Sequence, residues 1–338
     1  MSTLPFLTAA SPGCGGLFKA TPEDFEVEEL PAYEPSAEKD CEHLFLWVEK
    51  RGHSTQDVAR ALARHCGFPE KDVSWAGLKD RHAVTRQYLC APARFVEPKL
   101  ETFVMPGVTV LRHARHRNKL KGGHLHGNRF IITLRAVKDV DAAKRSLELL
   151  VKLGIPNYFG EQRFGLGGDN AAKGKQILLA GGRHRDRFER KLFLSAYQSE
   201  LFNRVLARRL TDGTYAKALR GDVLKKVPTG GEFICAEPEV DQPRVDAFEV
   251  SPTGPLFGPE MRRPEAEVDA LENAVLEDEG IERTLFDKGG NETSGVRRPL
   301  RVPLALEEVN ADGDVLRLRF TLPAGSYATV LLRELLKD

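Results

Sequence analysis

The chain has 338 residues, 41% hydrophobic and 29% charged, with a formal net charge of +1 at pH 7, which fits a soluble globular protein of two domains rather than one. Its five cysteines, Cys14, Cys41, Cys66, Cys90 and Cys235, are odd in number and form no CxxC pair, which excludes a disulfide framework and a zinc knuckle and points to a reducing cytoplasm. No basic leader opens the chain, and nowhere do roughly 18 apolar residues run together, so neither a signal peptide nor a membrane span is expected.

After a glycine-rich start, HLFLWVEK (43–50) predicts a strand, and Ser54 to Cys66 a helix with Ser54 and Asp57 at capping-box spacing and Gly67 as its stop. Two strand-like runs, VSWAGL from Val73 and TRQYLCA from Thr85, then flank a loop that sets one carboxylate, Asp80, among Lys79, Arg81, His82 and Arg86. Nearby cations keep an aspartate ionised, so Asp80 is a candidate nucleophile; a charged turn between strands is the alternative.

Between Glu101 and Asp139 there is no carboxylate, while Arg112, Arg115, Arg117, Lys119, Lys121, Arg129, Arg135 and Lys138 supply eight positive charges. Such a stretch suits a polyanion, although a solvated loop has the same composition. His113, His116, His124 and His126 lie within it without the acidic or cysteine partners of a metal site, so no metal is expected. Residues 129–137 (RFIITLRAV) predict a strand on the same sheet as the Asp80 loop, and Val140 to Leu153 a helix stopped by Gly154 and Pro156.

The loop NYFGEQRFGLGGDN (157–170) follows, then helical stretches near Ala171–Leu179 and Asp186–Leu210, the second opening on a basic cluster, Arg183 to Lys191, suited either to phosphate or to solvent. Residues 221–303 are acidic and punctuated by proline and glycine, consistent with short strands and a variable loop region. VLRLRFTL (315–322) predicts a strand and Ala328–Leu335 a helix; too short to be a domain, they are expected to complete the N-terminal sheet, which makes the middle of the chain an insertion.

KATPEDFEVEE from Lys19, GLKDRHAVTRQ from Gly77, GNRF from Gly127, NYFGEQRFG from Asn157 and LPAGSYATVLLREL from Leu322 resemble, in order, the motifs of the TruD family of tRNA pseudouridine synthases. The resemblance implies an α+β fold: a discontinuous pseudouridine synthase catalytic domain (1–155 and 303–338) with a mixed, largely antiparallel sheet flanked by helices. It further implies an inserted α/β TRUD domain (156–302) and an RNA cleft between the two. The implied reaction is cofactor-free isomerisation of uridine 13 in the D-arm region of tRNA, with tRNA as the partner and no protein partner or membrane.

By family position Asp80 is the catalytic aspartate, with Lys19 as its cation and Lys79 as second choice. Phe25 and Tyr327 would contact the base or its surroundings, Asn128 would hydrogen-bond it, and Phe130 would stack beneath it. Phe25 and Phe130 also sit in strand-like runs where core packing is the alternative. Tyr327 stands where the family often has Phe, and its hydroxyl needs a partner. Phe130 lies where most other pseudouridine synthases place Tyr, so the acceptor of the C5 proton is unassigned.

Arg112, Arg115, Arg117, Lys119 and Lys121 are the RNA-binding candidates. Asp80 would attack C1′ or remove the 2′ proton to give a glycal; the residues do not decide between these. A single carboxylate separates this chemistry from glycoside hydrolysis, which uses two and finishes with water. The competing readings are a non-catalytic RNA-binding or RNA-folding protein on the same scaffold, and a nucleoside hydrolase, which would not need the basic stretch.

Overall fold

Alternating apolar residues build the largest element of the protein, an eight-stranded sheet. The computed structural model describes residues 4–38, 40–181 and 183–337. Its first part runs β1 (Phe25–Pro31), β2 (His43–Arg51), α1 (Thr55–Cys66), β3 (Ser74–Trp75), β4 (Val84–Pro92), α2 (Ala93–Val96), β5 (Val108–His116) and β6 (Leu125–Leu134). The middle comprises α3 (Val140–Leu153), β7 (Ile155–Pro156), α4 (Asn170–Leu179), α5 (Arg187–Thr211), β8 (Val223–Lys226), β9 (Glu232–Ile234), α6 (Pro238–Asp246), β10 (Val250–Leu256), α7 (Ala266–Asp278), β11 (Val296–Pro299) and β12 (Arg301–Val302). The chain finishes with β13 (Ala305–Asp312), β14 (Val315–Pro323) and α8 (Ala328–Leu336). The fold is α+β with a mixed, largely antiparallel sheet, and among the described residues no helix is long and apolar enough to cross a membrane.

The sheet order is β13-β14-β6-β1-β4-β2-β5, with β3 paired to β4. Every pairing is antiparallel except β1 with β4, where Glu26 lies opposite Val84 and Val27 opposite Thr85. Parallel strands enter the sheet from the same end, so the segments leading into β1 and β4 emerge side by side. Directly paired residues face the same way, and one such row crosses five strands: Lys50, Thr85, Val27, Phe130 and Phe320.

Helix α1 covers that face. Asp57 N–H donates to Ser54 Oγ (3.1 Å) and Ser54 N–H to Asp57 Oδ2 (2.9 Å), closing the expected capping box. Gly67 ends the helix at φ 80°, a left-handed conformation that glycine adopts without steric cost. The apolar stripe Val58, Ala59, Leu62, Ala63 and Cys66 packs on Leu44, Leu46, Val48 and Leu89, while the alternate residues Phe45, Trp47, Tyr88 and Cys90 pack with Leu120 on the opposite face.

The chain forms two compact units: one holds Cys14–Asp141 and Leu304–Gly325, the other Met1–Gly13, Ala142–Pro303 and Ser326–Asp338. Strand β14 joins the eight-stranded sheet, but α8 belongs to the other unit, and the chain passes into that unit at Ala142, in the first turn of α3, rather than after the expected residue 155. The reason is a set of local ties. The buried Glu334 carboxylate of α8 accepts the N–H groups of Leu7 (3.0 Å) and Thr8 (2.9 Å). Gly154 and Leu153, at the end of α3, offer carbonyls to the Tyr215 hydroxyl (3.1 Å) and the Arg301 guanidinium (2.8 Å).

That second unit has its own core. Helices α4 and α5 approach so closely that the Cβ position of Gly174 is taken by the Phe193 carbonyl. A four-stranded sheet, β11-β10-β8-β9, packs against α5, and β12 pairs with β7.

Leu62 is 1% exposed, so Leu62→Ala should lower unfolding stability by about 2–5 kcal/mol. Both tryptophans, Trp47 and Trp75, lie in the unit of the eight-stranded sheet, and urea unfolding followed by their fluorescence reads that loss directly.

Candidate active site

The loop between β3 and β4 carries Asp80 and is fastened along its length. Gln87, on β4, donates through Nε2 to Gly77 O (2.9 Å) and accepts through Oε1 from the Thr55 hydroxyl (2.8 Å), which itself accepts Lys79 N–H (3.0 Å). Arg81 pairs with Asp57 of the α1 cap (2.6 Å), and His82 N–H donates to Asp80 Oδ1 (2.9 Å), so the carboxylate is oriented by its own turn.

The other oxygen, Oδ2, receives the ammonium of Lys19, which lies in the segment leading into β1. Lys19 has φ 57°, a left-handed conformation that costs a non-glycine residue about 1–2 kcal/mol. Such strain at a charged, partly exposed pair is typical of functional sites. Burial pushes the Asp80 carboxyl upward, but Lys19 and the His82 N–H together outweigh it and hold the group below the usual aspartate range. Asp80 is therefore an ionised, oriented carboxylate with one cation beside it.

An aromatic row extends from this pair. The Lys19 ammonium sits 4.3 Å from the Phe25 ring centroid, within cation–π range. Phe25 lies 6.1 Å from Phe130, which stacks on Phe320 at 5.4 Å, and Phe18 meets Phe25 edge-on at 5.3 Å. Phe25 and Phe130 are each 6% exposed, so the core and site expectations meet: both rings belong to the packed face of the sheet and also lie in the row that starts at the Lys19–Asp80 pair. Asn128 stands one alternation before Phe130 on β6, and its buried Oδ1 has no hydrogen-bond partner among the described residues.

Lys79 is placed differently from the expectation. Its ammonium turns into the protein and pairs with Glu29 of β1 at 2.9 Å, both side chains being buried, so the cation at Asp80 is Lys19. Two buried groups beneath the loop had no counterpart in the expected site: Glu29, and Lys50 of β2, whose ammonium donates to the backbone carbonyls of His53 and Asp80 at 2.7 Å each. For Lys50 a signal existed, since it continues the buried phase of Leu44, Leu46 and Val48.

The basic stretch is less bare in space than in sequence. Arg112 lies 3.4 Å from Glu34, Arg117 3.5 Å from Glu38, Arg129 3.1 Å from Glu307, and Arg115 pairs with Glu97. Among the described residues Lys119 and Lys121, like Lys138, make no ion pair, so within the 112–121 run they are the uncompensated charges. In the helix start at 183–191, Arg190 pairs with Glu292, which also lies 3.6 Å from Arg187.

Tyr327 belongs to the other unit, at the start of α8, edge-on to Phe159 at 6.3 Å. Phe159 comes from the NYFGEQRFG segment and carries the Arg298 guanidinium 4.1 Å from its ring centroid. The five expected motifs thus divide. Three supply the sheet-containing unit with Lys19, Phe25, Asp80, Asn128 and Phe130, the NYFGEQRFG segment builds the surroundings of Tyr327, and the C-terminal one passes from one unit to the other at Ser326.

A family model described as tRNA pseudouridine synthase D (TruD) matches residues 3–180 and 186–335. A protein named tRNA pseudouridine synthase D from Anaeromyxobacter dehalogenans (strain 2CP-C) is 48% identical over 345 aligned positions, covering 100% of this chain and 97% of the relative. One of the same name from Thermus thermophilus is 42% identical, covering 98% of this chain and 92% of its own. A crystal structure from Methanosarcina mazei carrying the TruD name superposes with a TM-score of 0.82 at 23% identity, over 99% of this chain and 96% of the other, a likeness of fold.

Removing the cation by Lys19→Met takes away a lowering influence while burial remains, and should move the Asp80 pKa upward from its lowered position. Carbon-13 NMR titration of the aspartate carboxyls measures it. An unchanged Asp80 titration in the variant contradicts the pairing.

Proposed function

The chain belongs to the TruD family of tRNA pseudouridine synthases, isomerases that act on tRNA, and on that premise we propose that it converts uridine 13 of the D-arm region to pseudouridine, using Asp80 at the ribose. The observation that carries the reading is the Asp80 carboxylate, oriented by His82 N–H and kept ionised by Lys19 at the end of a row of aromatic rings.

The reaction breaks the C1′–N1 bond, turns the detached uracil, and joins C5 to C1′. Attack by Asp80 on C1′ gives a ribosyl ester; abstraction of the 2′ proton gives a glycal. Each begins from an ionised carboxylate, which the Lys19 pairing supplies, and neither consumes an oxidant or reductant because product and substrate are isomers. The uridine must leave its stack, at a cost of a few kcal/mol, to reach the enzyme. Phe25 and Phe130 offer an apolar surface for the base, and the unpartnered Asn128 Oδ1 offers an acceptor to a uracil N–H.

Contacts to the RNA backbone fall first to Lys119 and Lys121. Arg112, Arg115 and Arg117 must exchange carboxylate partners for phosphates. All five cysteines are buried, in keeping with the reducing cytoplasm to which we assign the protein.

Tritium release from tRNA labelled at uridine C5 tests the proposal. Wild type is expected to release tritium with the product mapping to position 13, and Asp80→Asn to lose turnover while tRNA affinity stays within a few-fold. Release mapping elsewhere overturns the position, turnover by Asp80→Asn overturns the role of Asp80, and tight tRNA binding without release favours an RNA-binding protein on this scaffold. Affinity should also fall steeply with salt, and Lys119→Ala with Lys121→Ala should reduce the slope by about 2 if each neutralises one phosphate.

A further inference from the structure

Lys50 is an ammonium 2% exposed, inside the sheet-containing unit, with no carboxylate in ion-pair contact among the described residues. Burying a charge without a counterion is costly, and the neighbouring Lys79 avoids the cost by pairing with Glu29. Lys50 instead meets only carbonyl oxygens: His53 O and Asp80 O at 2.7 Å each, and Lys79 O at 3.5 Å. Its three N–H donors are thereby shared between the segment entering α1 and two successive residues of the Asp80 loop.

We propose that Lys50 is a positioning residue whose protonated ammonium clamps the backbone of Asp80, and that its deprotonation is a local switch that releases the loop and stops turnover without unfolding the protein. This rests on the assignment of Asp80 as the reacting carboxylate. A neutral amine has two N–H donors instead of three and no charge to draw carbonyl dipoles together, so the converging oxygens lose the group that holds them.

Geometry and titration agree. Burial pulls the Lys50 pKa from 10.5 down to about 8, against the upward influence of Asp80 and Asp57 and with a further downward one from Lys79 and Arg81. Those four groups come from the loop and from α1; Glu29 is engaged by Lys79, and His53, which supplies one carbonyl, directs its ring Nε2 to Pro106 O at 2.8 Å. The unfolded chain holds its lysine proton to higher pH than the fold does, so between about 8 and 10.5 this group favours folding as pH rises. An alkaline loss of activity through Lys50 therefore cannot be an alkaline unfolding caused by the same group.

The test measures single-turnover rates from about pH 6 to about pH 10, with tRNA affinity alongside, for wild type, Lys50→Arg, Lys50→Met and Asp80→Asn, a range that reaches above the ordinary histidine titration and brackets the lowered lysine one. Wild type is expected to lose rate above a midpoint near 8 with affinity unchanged. Lys50→Met should be slow throughout, by on the order of 10²-fold as expected for a displaced reacting group, and should lack the alkaline limb. Lys50→Arg, which keeps its charge, should recover part of the rate and move the limb upward.

An alkaline limb with the same midpoint in both Lys50 variants overturns the proposal. Should neither variant fold, carbon-13 titration of lysine Cε in wild type decides, with the Lys19 signal identified through Lys19→Met. A lysine other than Lys19 titrating at the midpoint of the activity limb supports the clamp, and its absence overturns it. Turnover retained by Asp80→Asn would instead sink the active-site assignment, whatever the Lys50 variants do.

Discussion

One parallel pairing in an otherwise antiparallel sheet brings the Lys19–Asp80 pair together. Strands β1 and β4 enter from the same end, with Glu26 opposite Val84, so the segment carrying Lys19 and the loop carrying Asp80 arrive together although 61 residues separate them. An antiparallel β1–β4 pair would put those two entries at opposite ends of the strands. The parallel choice obliges the chain to cross over between them, and the crossing supplies β2 and α1, which bring Lys50, Thr55 and Asp57 to the loop.

Three lysines around this loop show how environment divides one side-chain type into three uses. Lys19 is partly exposed, pairs with a carboxylate that stays open to solvent, and accepts a strained backbone to reach it. Lys79 is buried with Glu29, a neutralised pair that joins the loop to β1. Lys50 is buried among carbonyls, and with no carboxylate in contact among the described residues its burial loosens the hold on its proton. Around the Asp80 carboxylate, charge, anchorage and orientation are thus supplied by separate groups.

Much of this was legible locally. The α1 cap, the span of α3 and the strand at 315–322 follow from short-range signals: Ser54 with Asp57, Gly154 with Pro156, and strict alternation. The strands at 108–116 and 305–312 escaped because they form the two edges of the sheet, where one side has no neighbour and exposed polar residues blur the period-2 pattern. VSWAGL pairs only over Ser74–Trp75, since Gly77 has already turned toward the Asp80 loop. Lys79 was ambiguous in sequence for a physical reason: the direction of a long side chain beside a loop depends on a partner, Glu29, that lies 50 residues away in the chain.

The interleaving of the two units has a bearing on biosynthesis. Strand β6 pairs along its length with β14, so a chain emerging from the ribosome exposes that edge of β6 while everything from Ala142 to Pro303 is made. The residues of the second unit in that interval are contiguous and need only α8 and the N-terminal segment to finish. The sheet that carries Asp80 is therefore closed only by residues synthesised after that interval, and until they arrive β6 of the nascent protein is a strand edge without its β14 partner, a stage at which nascent-chain chaperones have their clearest target.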